Sequence, residues 1–308
     1  MLVLVGATGV GKTAVGTRVA AEIGGEIINA DSRQVYRGMN IGTSKPSPED
    51  FASVPHHLFD LVDPDEKFDV YKYHQLFKQA VCQIKSRSRI PILIGGSGQY
   101  IWSAVEDWKF DMNEGYGISR CEINQRYRIE GLQALVSELQ NLDPEASKRI
   151  DTRNPRRVIR ALERIASGSP SFISREQSSC LRDEILMIGL TLPRSQLYET
   201  IDRRVNDMMI AGWMSEVKRL KQHGYGQASN SMGGIGYWEL QAFLEKKIGW
   251  TYCINKIRSR THRLVRTQFN WFKGEDPRIS WIDLSNLSVE QAVYQICDRY
   301  RTKVGISA

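Results

Sequence analysis

Met1 to Val5 are uniformly apolar, as in a buried strand, and a glycine-rich stretch then runs straight into Thr13–Ile23. That segment has helical spacing and stops at Gly24-Gly25. Glu26–Ala30 predicts a second strand, with Asp31-Ser32-Arg33-Gln34 at its C-terminal end, the edge at which parallel sheets present polar residues to ligands. Asp69 can cap a helix whose apolar positions Val70, Tyr73, Leu76, Phe77, Ala80, Val81 and Ile84 follow the 3.6-residue period. Ile90–Ile94 is the next apolar run, and it ends in Gly95-Gly96-Ser97-Gly98. Strand and helix therefore alternate through the first hundred residues, which predicts an α/β fold with a mostly parallel sheet and helices on both faces.

Beyond residue 110 the pattern turns helical, with Leu132, Leu135, Val136, Leu139 and Leu142 at helical intervals. Asn154 and Pro155 form a cap and first turn for a further helix. Leu186–Leu192 reads as a strand that rejoins the sheet, and three more helices follow from Arg194. Ile279–Leu284 is one last strand before a terminal helix. The expected division is a core in two parts, residues 1–110 and 187–308, the second mostly helical, around a helical insertion at 111–186.

With 41% hydrophobic and 25% charged residues, the 308-residue chain falls in the ordinary globular range, neither disordered nor fibrous. No apolar run approaches the roughly 18 residues of a membrane-spanning helix, and the first strand lacks a basic leader or cleavage site, so a cytoplasmic protein without membrane attachment is expected. The five cysteines lie far apart, without metal-ligand or disulfide spacing. Forty-two basic residues against 35 acids give a net charge of +7, which permits a polyanionic partner.

Gly6-Ala7-Thr8-Gly9-Val10-Gly11-Lys12-Thr13 satisfies G-x-x-x-x-G-K-[ST] between a predicted strand and a predicted helix. Glycines let backbone N–H groups converge on phosphate oxygens, the helix N-terminus adds partial positive charge, Lys12 neutralises, and the Thr13 hydroxyl can hold Mg²⁺. The loop specifies a phosphate chain rather than a reaction: ATP, GTP or a diphosphate ester would each suit it. Asp31 faces the same end of the sheet, where a carboxylate can take a proton from a nucleophile, help hold magnesium, or merely cap a turn.

Charge clustering favours RNA. Between Lys148 and Arg164 stand seven basic residues and two acids, with Arg157, Arg160 and Arg164 on one helical face and Val158, Ile159, Leu162 and Ile165 on an apolar one. A second run, Lys256, Arg258, Arg260, Arg263, Arg266 and Lys273, has no acid between its ends and includes Phe269, Trp271 and Phe272. Basic residues interleaved with aromatics suit a phosphate backbone and stacked bases, although a solvated helix face is the common alternative for any single run.

These pieces together resemble one family, the bacterial-type tRNA dimethylallyltransferases, also called tRNA isopentenyltransferases. The resemblance is carried by the phosphate loop, Asn29-Ala30-Asp31-Ser32-Arg33-Gln34-Val35-Tyr36-Arg37-Gly38-Met39, Ile41–Pro46, Pro55-His56-His57-Leu58 and Gly95–Tyr100. It continues through Asn154–Glu163, Ile201-Asp202-Arg203-Arg204-Val205, Gly236-Tyr237 and Gln268-Phe269-Asn270-Trp271-Phe272-Lys273, nearly end to end.

The resemblance implies transfer of a five-carbon prenyl group from dimethylallyl diphosphate to N6 of the adenosine immediately 3′ of the anticodon in the tRNA anticodon stem-loop. By that resemblance Gly6, Thr8, Gly9, Val10, Gly11, Lys12, Thr13 and Arg204 hold the diphosphate with Mg²⁺ on Thr13, and Asp31 is the general base. Asp31, Ser32, Arg33, Gln34 and Ser97 receive the flipped adenosine, and Arg156, Arg157, Val158, Ile159 and Arg160 grip the RNA. It implies a monomer in which ATP has no role despite the loop's nucleotide-binding pattern. Ser97 stands where the family usually has threonine, Gly233 where some relatives have arginine, and Thr267 replaces a basic residue. No zinc finger follows, as in bacterial rather than eukaryotic members. His56 and His57 match the family without an assigned chemistry. The competing readings are a small-molecule kinase, a prenyltransferase acting on free adenine nucleotides, and an RNA-binding switch driven by nucleotide hydrolysis.

Overall fold

In a computed structural model of the chain, residues 1–108, 120–166, 184–226, 229 and 231–305 are described. The order is β1 (Leu2–Gly6), α1 (Lys12–Ile23), β2 (Gly25–Ala30), α2 (Pro48–Ser53), β3 (His56–His57), α3 (Val70–Ser86), β4 (Ile90–Gly95) and α4 (Gly98–Val105). Next come α5 (Arg120–Leu142), α6 (Pro144–Arg149) and α7 (Pro155–Ala166), then β5 (Leu186–Thr191), α8 (Arg194–Ile210), α9 (Trp213–Gln222), α10 (Tyr237–Leu244), α11 (Trp250–Trp271), β6 (Ser280–Asp283) and α12 (Val289–Val304).

The sheet runs β3-β2-β4-β1-β5-β6 with every pairing parallel. Successive side chains of β1 point to opposite faces, and each face has its own core. Leu2 and Leu4 pack with Val15 and Val19 of α1, Leu197 of α8 and Ile296 of α12. Val3 and Val5 pack with Tyr73 and Phe77 of α3 and Ile101 of α4. Burial of strands on both sides explains their continuous apolar runs. A third cluster joins Val35, Tyr36 and Met39 to Trp213, Tyr237 and Ile257.

Predicted and observed elements diverge in short or fully buried places. The Asp69 cap forms, its side chain accepting the Lys72 N–H at 2.9 Å. Among the described residues, four helices, not three, lie between Arg194 and the last strand. β3 has two residues and α2 six, too short for periodicity to register. α4 is buried almost all round, which removes the polar face that would have announced it.

The chain divides into two compact units, residues 1–108 with 179–308, and residues 109–178. Ile185 belongs to a core of the sheet. In the described part of the second unit, α5 turns at Gly131 (φ 81°). Ile123, Leu135 and Leu139 pack there with Val158, Ile159 and Leu162 of α7. No helix among the described residues is long and apolar enough to cross a membrane.

Candidate active site

Three loops converge at the C-terminal ends of β1, β4 and β2, near the point where the strand order reverses. The first is the phosphate loop. Gly9 (φ 86°) and Gly11 (φ 96°) adopt left-handed conformations that side chains resist, and they turn the chain so that α1 begins at Lys12. Lys12 Nζ donates to the carbonyls of Gly6 at 3.0 Å and Ala7 at 2.8 Å. Burial pushes its ammonium down to about 8, with Asp31 opposing the shift and Arg204 adding to it. Arg204 reaches in from α8 and donates to Thr8 Oγ1 at 3.3 Å. Its guanidinium is also lowered by burial, against the attraction of Asp31. Two cations and one carboxylate are thus electrostatically coupled at the loop.

The second loop carries Asp31. Asn29 Oδ1 accepts the Asp31 N–H at 2.8 Å, and Asn29 Nδ2 donates to the carbonyls of Asp31 and Leu58. Tyr73 OH anchors the Asn29 carbonyl at 2.9 Å. Asp31 Oδ1 accepts the Arg33 N–H at 2.8 Å, so the turn-capping alternative describes one of its two oxygens. The third loop brings Ser97 Oγ to 2.9 Å from the Ser32 N–H, which it accepts, and to 3.2 Å from Ser32 Oγ. The sequence-predicted residues Asp31, Ser32 and Ser97 therefore meet.

Two cavities flank this meeting point. One, about 320 Å³, is lined by Thr8, Gly9, Gly11, Lys12, Thr13 and Arg204 together with Asp31 and Gln34. The other, about 350 Å³, is lined by Ser32, Arg33, Ser97, Tyr100, Arg260 and Trp271, and again by Asp31. Asp31, Thr43 and Gln268 line both. Gln268, 6% exposed, accepts the Thr8 N–H at 2.8 Å and donates to the Gly96 carbonyl at 3.1 Å, tying the phosphate loop to the end of β4. Gln34 Nε2 donates to the carbonyls of Thr43 and Ser44 and fixes that wall.

Other sequence expectations need correction. Val158 and Ile159 are 0% and 4% exposed, so their side chains serve the core of the helical unit and cannot touch RNA there; Arg156, Arg157 and Arg160 are exposed. Val10 is likewise buried, which leaves only its backbone for phosphate. In the second basic run, Arg260 pairs with the fully buried Glu239 at 2.6 Å and Arg258 donates to Asn206 at 3.0 Å. Both partners come from other helices, and only Glu239 neutralises its arginine. Phe272 is buried and Phe269 lies under Arg194, while Trp271 lines the second cavity. Sequence reasoning gave no role to Gln268, Thr43 or Glu216; only the first two lay in segments singled out beforehand.

A family model described as IPP transferase matches residues 34–275. Curated proteins named tRNA dimethylallyltransferase are similar over most of the chain. That of Dehalococcoides mccartyi is 38% identical, covering 92% of this chain and 87% of the relative. That of Symbiobacterium thermophilum is 39% identical, covering 97% and 96%. Among solved structures, the tRNA isopentenylpyrophosphate transferase of Bacillus halodurans is similar with a TM-score of 0.74 at 33% identity, covering 99% of this chain and 96% of that one. A eukaryotic dimethylallyltransferase acting on tRNA is similar with a TM-score of 0.81 at 26% identity, covering 93% and 74%.

Proposed function

This chain belongs to the IPP transferase family of tRNA dimethylallyltransferases, and from that premise we propose that it prenylates N6 of the adenosine immediately 3′ of the anticodon in tRNA. The donor is dimethylallyl diphosphate and the leaving group is diphosphate. The observation that carries the reading is Asp31 on a wall common to two cavities, one built on a phosphate loop and the other on polar and aromatic side chains. A kinase needs its acid beside the phosphates; a base-modifying transferase needs it between the phosphates and a base.

As the allylic C–O bond breaks, the diphosphate takes the electron pair. Lys12, Arg204 and the loop N–H groups stabilise the charge that gathers on it. The N6 lone pair forms the new C–N bond, and its proton passes to the Asp31 carboxylate. Ser32, Ser97 and Trp271 supply the hydroxyls and the aromatic face that a base flipped from its stack requires. The donor set at the loop, one Thr13 hydroxyl beside a phosphate cradle, suits magnesium, which takes phosphate and water oxygens rather than an all-protein cage. When bound there it supplies further charge neutralisation to the leaving group. ATP has no part in this chemistry, and the enzyme acts as a cytoplasmic monomer.

The test is incubation of purified protein with unmodified tRNA, Mg²⁺ and dimethylallyl diphosphate, without nucleotide, followed by nucleoside mass spectrometry. A five-carbon adduct of adenosine is expected. No adduct, or an adduct only when ATP is added, overturns the reading.

Two further outcomes follow from the geometry. Because burial pushes the Lys12 ammonium down to about 8, the dissociation constant for diphosphate is expected to rise as pH climbs through that value, by up to about tenfold per pH unit. Protein stability moves the other way: a lysine whose folded pKa is depressed binds fewer protons than in the unfolded chain, so stability rises between about 8 and 10.5. Calorimetric titration of diphosphate across this range checks the effect, which should vanish in Lys12→Arg. Separately, the triple variant Arg156→Ala, Arg157→Ala, Arg160→Ala should weaken tRNA binding and flatten its log–log salt dependence by about 2 to 3, since each phosphate contact contributes roughly 0.7–0.9. An unchanged slope removes these arginines from the RNA interface.

A further inference from the structure

One wall of the second cavity is a single face of α11. Arg260, Leu264, Thr267 and Trp271 recur at i, i+4, i+7 and i+11 along that helix, and all four line the cavity. The turn Ser231–Gly234, closed by the Gly234 N–H on the Ser231 carbonyl at 2.8 Å, contributes Gly233 and Gly234 to the same lining. Two arginines of the lining grip the carbonyls of this turn. Arg33 donates to that of Ser231 at 3.4 Å, and Arg260 donates to that of Gly233 at 3.1 Å.

Arg260 is the more firmly held. Its Nη1 donates to Glu239 Oε1 at 2.6 Å while Nη2 takes the Gly233 carbonyl, yet its side chain remains 33% exposed. Glu239 is 0% exposed and gives Oε2 to the Gly236 N–H at 2.8 Å, so it lies out of reach of RNA and acts as an anchor. The other N–H groups of the guanidinium carry no bond among the described residues. A long side chain fixed before its ligand arrives loses little rotamer freedom on binding. A pocket that receives a flipped base also receives, at its mouth, the phosphates on either side of that nucleotide, and contacts to these set register rather than read sequence. Some relatives have arginine at the position of Gly233. A Cβ added there meets nothing within 4 Å, and the backbone is not left-handed, so neither packing nor conformation demands glycine. In this chain the guanidinium beside that residue comes from α11 instead.

We propose that Arg260 binds a backbone phosphate next to the flipped adenosine, supplying from α11 the guanidinium that some relatives carry at residue 233. The assignment rests on the reading of tRNA as the acceptor and of this cavity as its base pocket. Arg260 then holds the anticodon loop in register while the chemistry proceeds at Asp31, and no bond is made or broken through it.

The experiment uses synthetic anticodon stem-loops in which the linkage 5′ or 3′ of the target adenosine is a neutral methylphosphonate, and compares kcat/KM for prenylation with that of the unaltered RNA. In the parent, neutralising one of the two linkages is expected to lower kcat/KM about tenfold to hundredfold, the range for a hydrogen bond between charged groups. Arg260→Met combined with Glu239→Gln removes both partners of the ion pair together, and the glutamine oxygen still accepts from Gly236. In that double variant the same linkage should matter by less than about twofold. Adding Gly233→Arg should restore the sensitivity. Because each ratio compares two RNAs on one preparation, a partly unfolded variant lowers both rates and leaves the ratio unaltered. A parent indifferent to both linkages, or a double variant as sensitive as the parent, overturns the assignment and leaves Arg260 only the neutralising of Glu239. Sensitivity lost in the double variant and not regained with Gly233→Arg overturns the exchange of position. If the parent does not mark the unaltered RNA, the tRNA reading fails and this assignment with it.

Discussion

Asp31→Asn is expected to reduce kcat for prenyl transfer by about a hundredfold to ten-thousandfold, the range a positioned general base contributes. The Asn29 contacts and the Arg33 N–H bond define what the substitution preserves: an asparagine side-chain oxygen can still accept from Arg33, so the turn stays closed. Donor binding should change little, because the phosphate-loop cations remain, and the removal of an anion near Lys12 and Arg204 makes them no less attractive to diphosphate. The adenine amine, whose lone pair is delocalised into the ring, depends on loss of its proton as the bond forms, and an amide cannot take it. Single-turnover kinetics with saturating donor and tRNA measure the effect directly. A kcat within about tenfold of the parent, with tRNA affinity intact, would reduce Asp31 to its turn-capping role.

The phosphate loop and Asp31 were legible in the chain because each is a local signal: glycine spacing between an apolar strand and a helix, and an acid at the end of a strand. The parallel sheet was legible because both of its faces are buried, so its strands carry continuous apolar runs. What escaped is nonlocal. Gln268 reads as an ordinary polar residue on a long helix, yet its amide joins Thr8 to Gly96 across 260 and 172 residues of sequence. Arg260 reads as part of an acid-free basic run, yet a buried carboxylate from α10 claims it. Val158 and Ile159 read two ways, as the apolar face of a helix and as part of an RNA-binding string; burial decides for the first. Pairing, in each case, depends on which helices pack together, and that is not written into any one segment.

Glu216 is the strongest example, and its removal is the second large effect expected. It is 2% exposed on α9. Its Oε2 accepts the N–H groups of Asn40 at 2.9 Å and Ile41 at 2.8 Å, while Oε1 accepts that of Gly42 at 3.2 Å and the hydroxyl of Tyr237 at 2.6 Å. Burial and the adjoining carboxylate push the Tyr237 phenol well above its ordinary pKa, so it remains a donor. Three consecutive amides and one phenol thus converge on a single buried charge, and the segment they fix continues into Thr43, which lines both cavities. Glu216→Ala removes a buried acceptor from four donors at once, three part-buried amides and one buried phenol, and should cost about 3–5 kcal/mol, as breaking buried charged contacts does. Glu216→Gln keeps the volume and one acceptor but turns the other into a donor facing donors; roughly 3 kcal/mol is expected there. Tyr237→Phe removes one bond and leaves the three amides held, for about 1 to 1.5 kcal/mol. Urea unfolding gives these differences, and steady-state kinetics on the folded fraction should show KM rising for donor and tRNA alike, since the loosened segment borders both cavities. Should Glu216→Gln unfold within about 0.5 kcal/mol of the parent, the carboxylate is not what holds the Asn40–Thr43 wall.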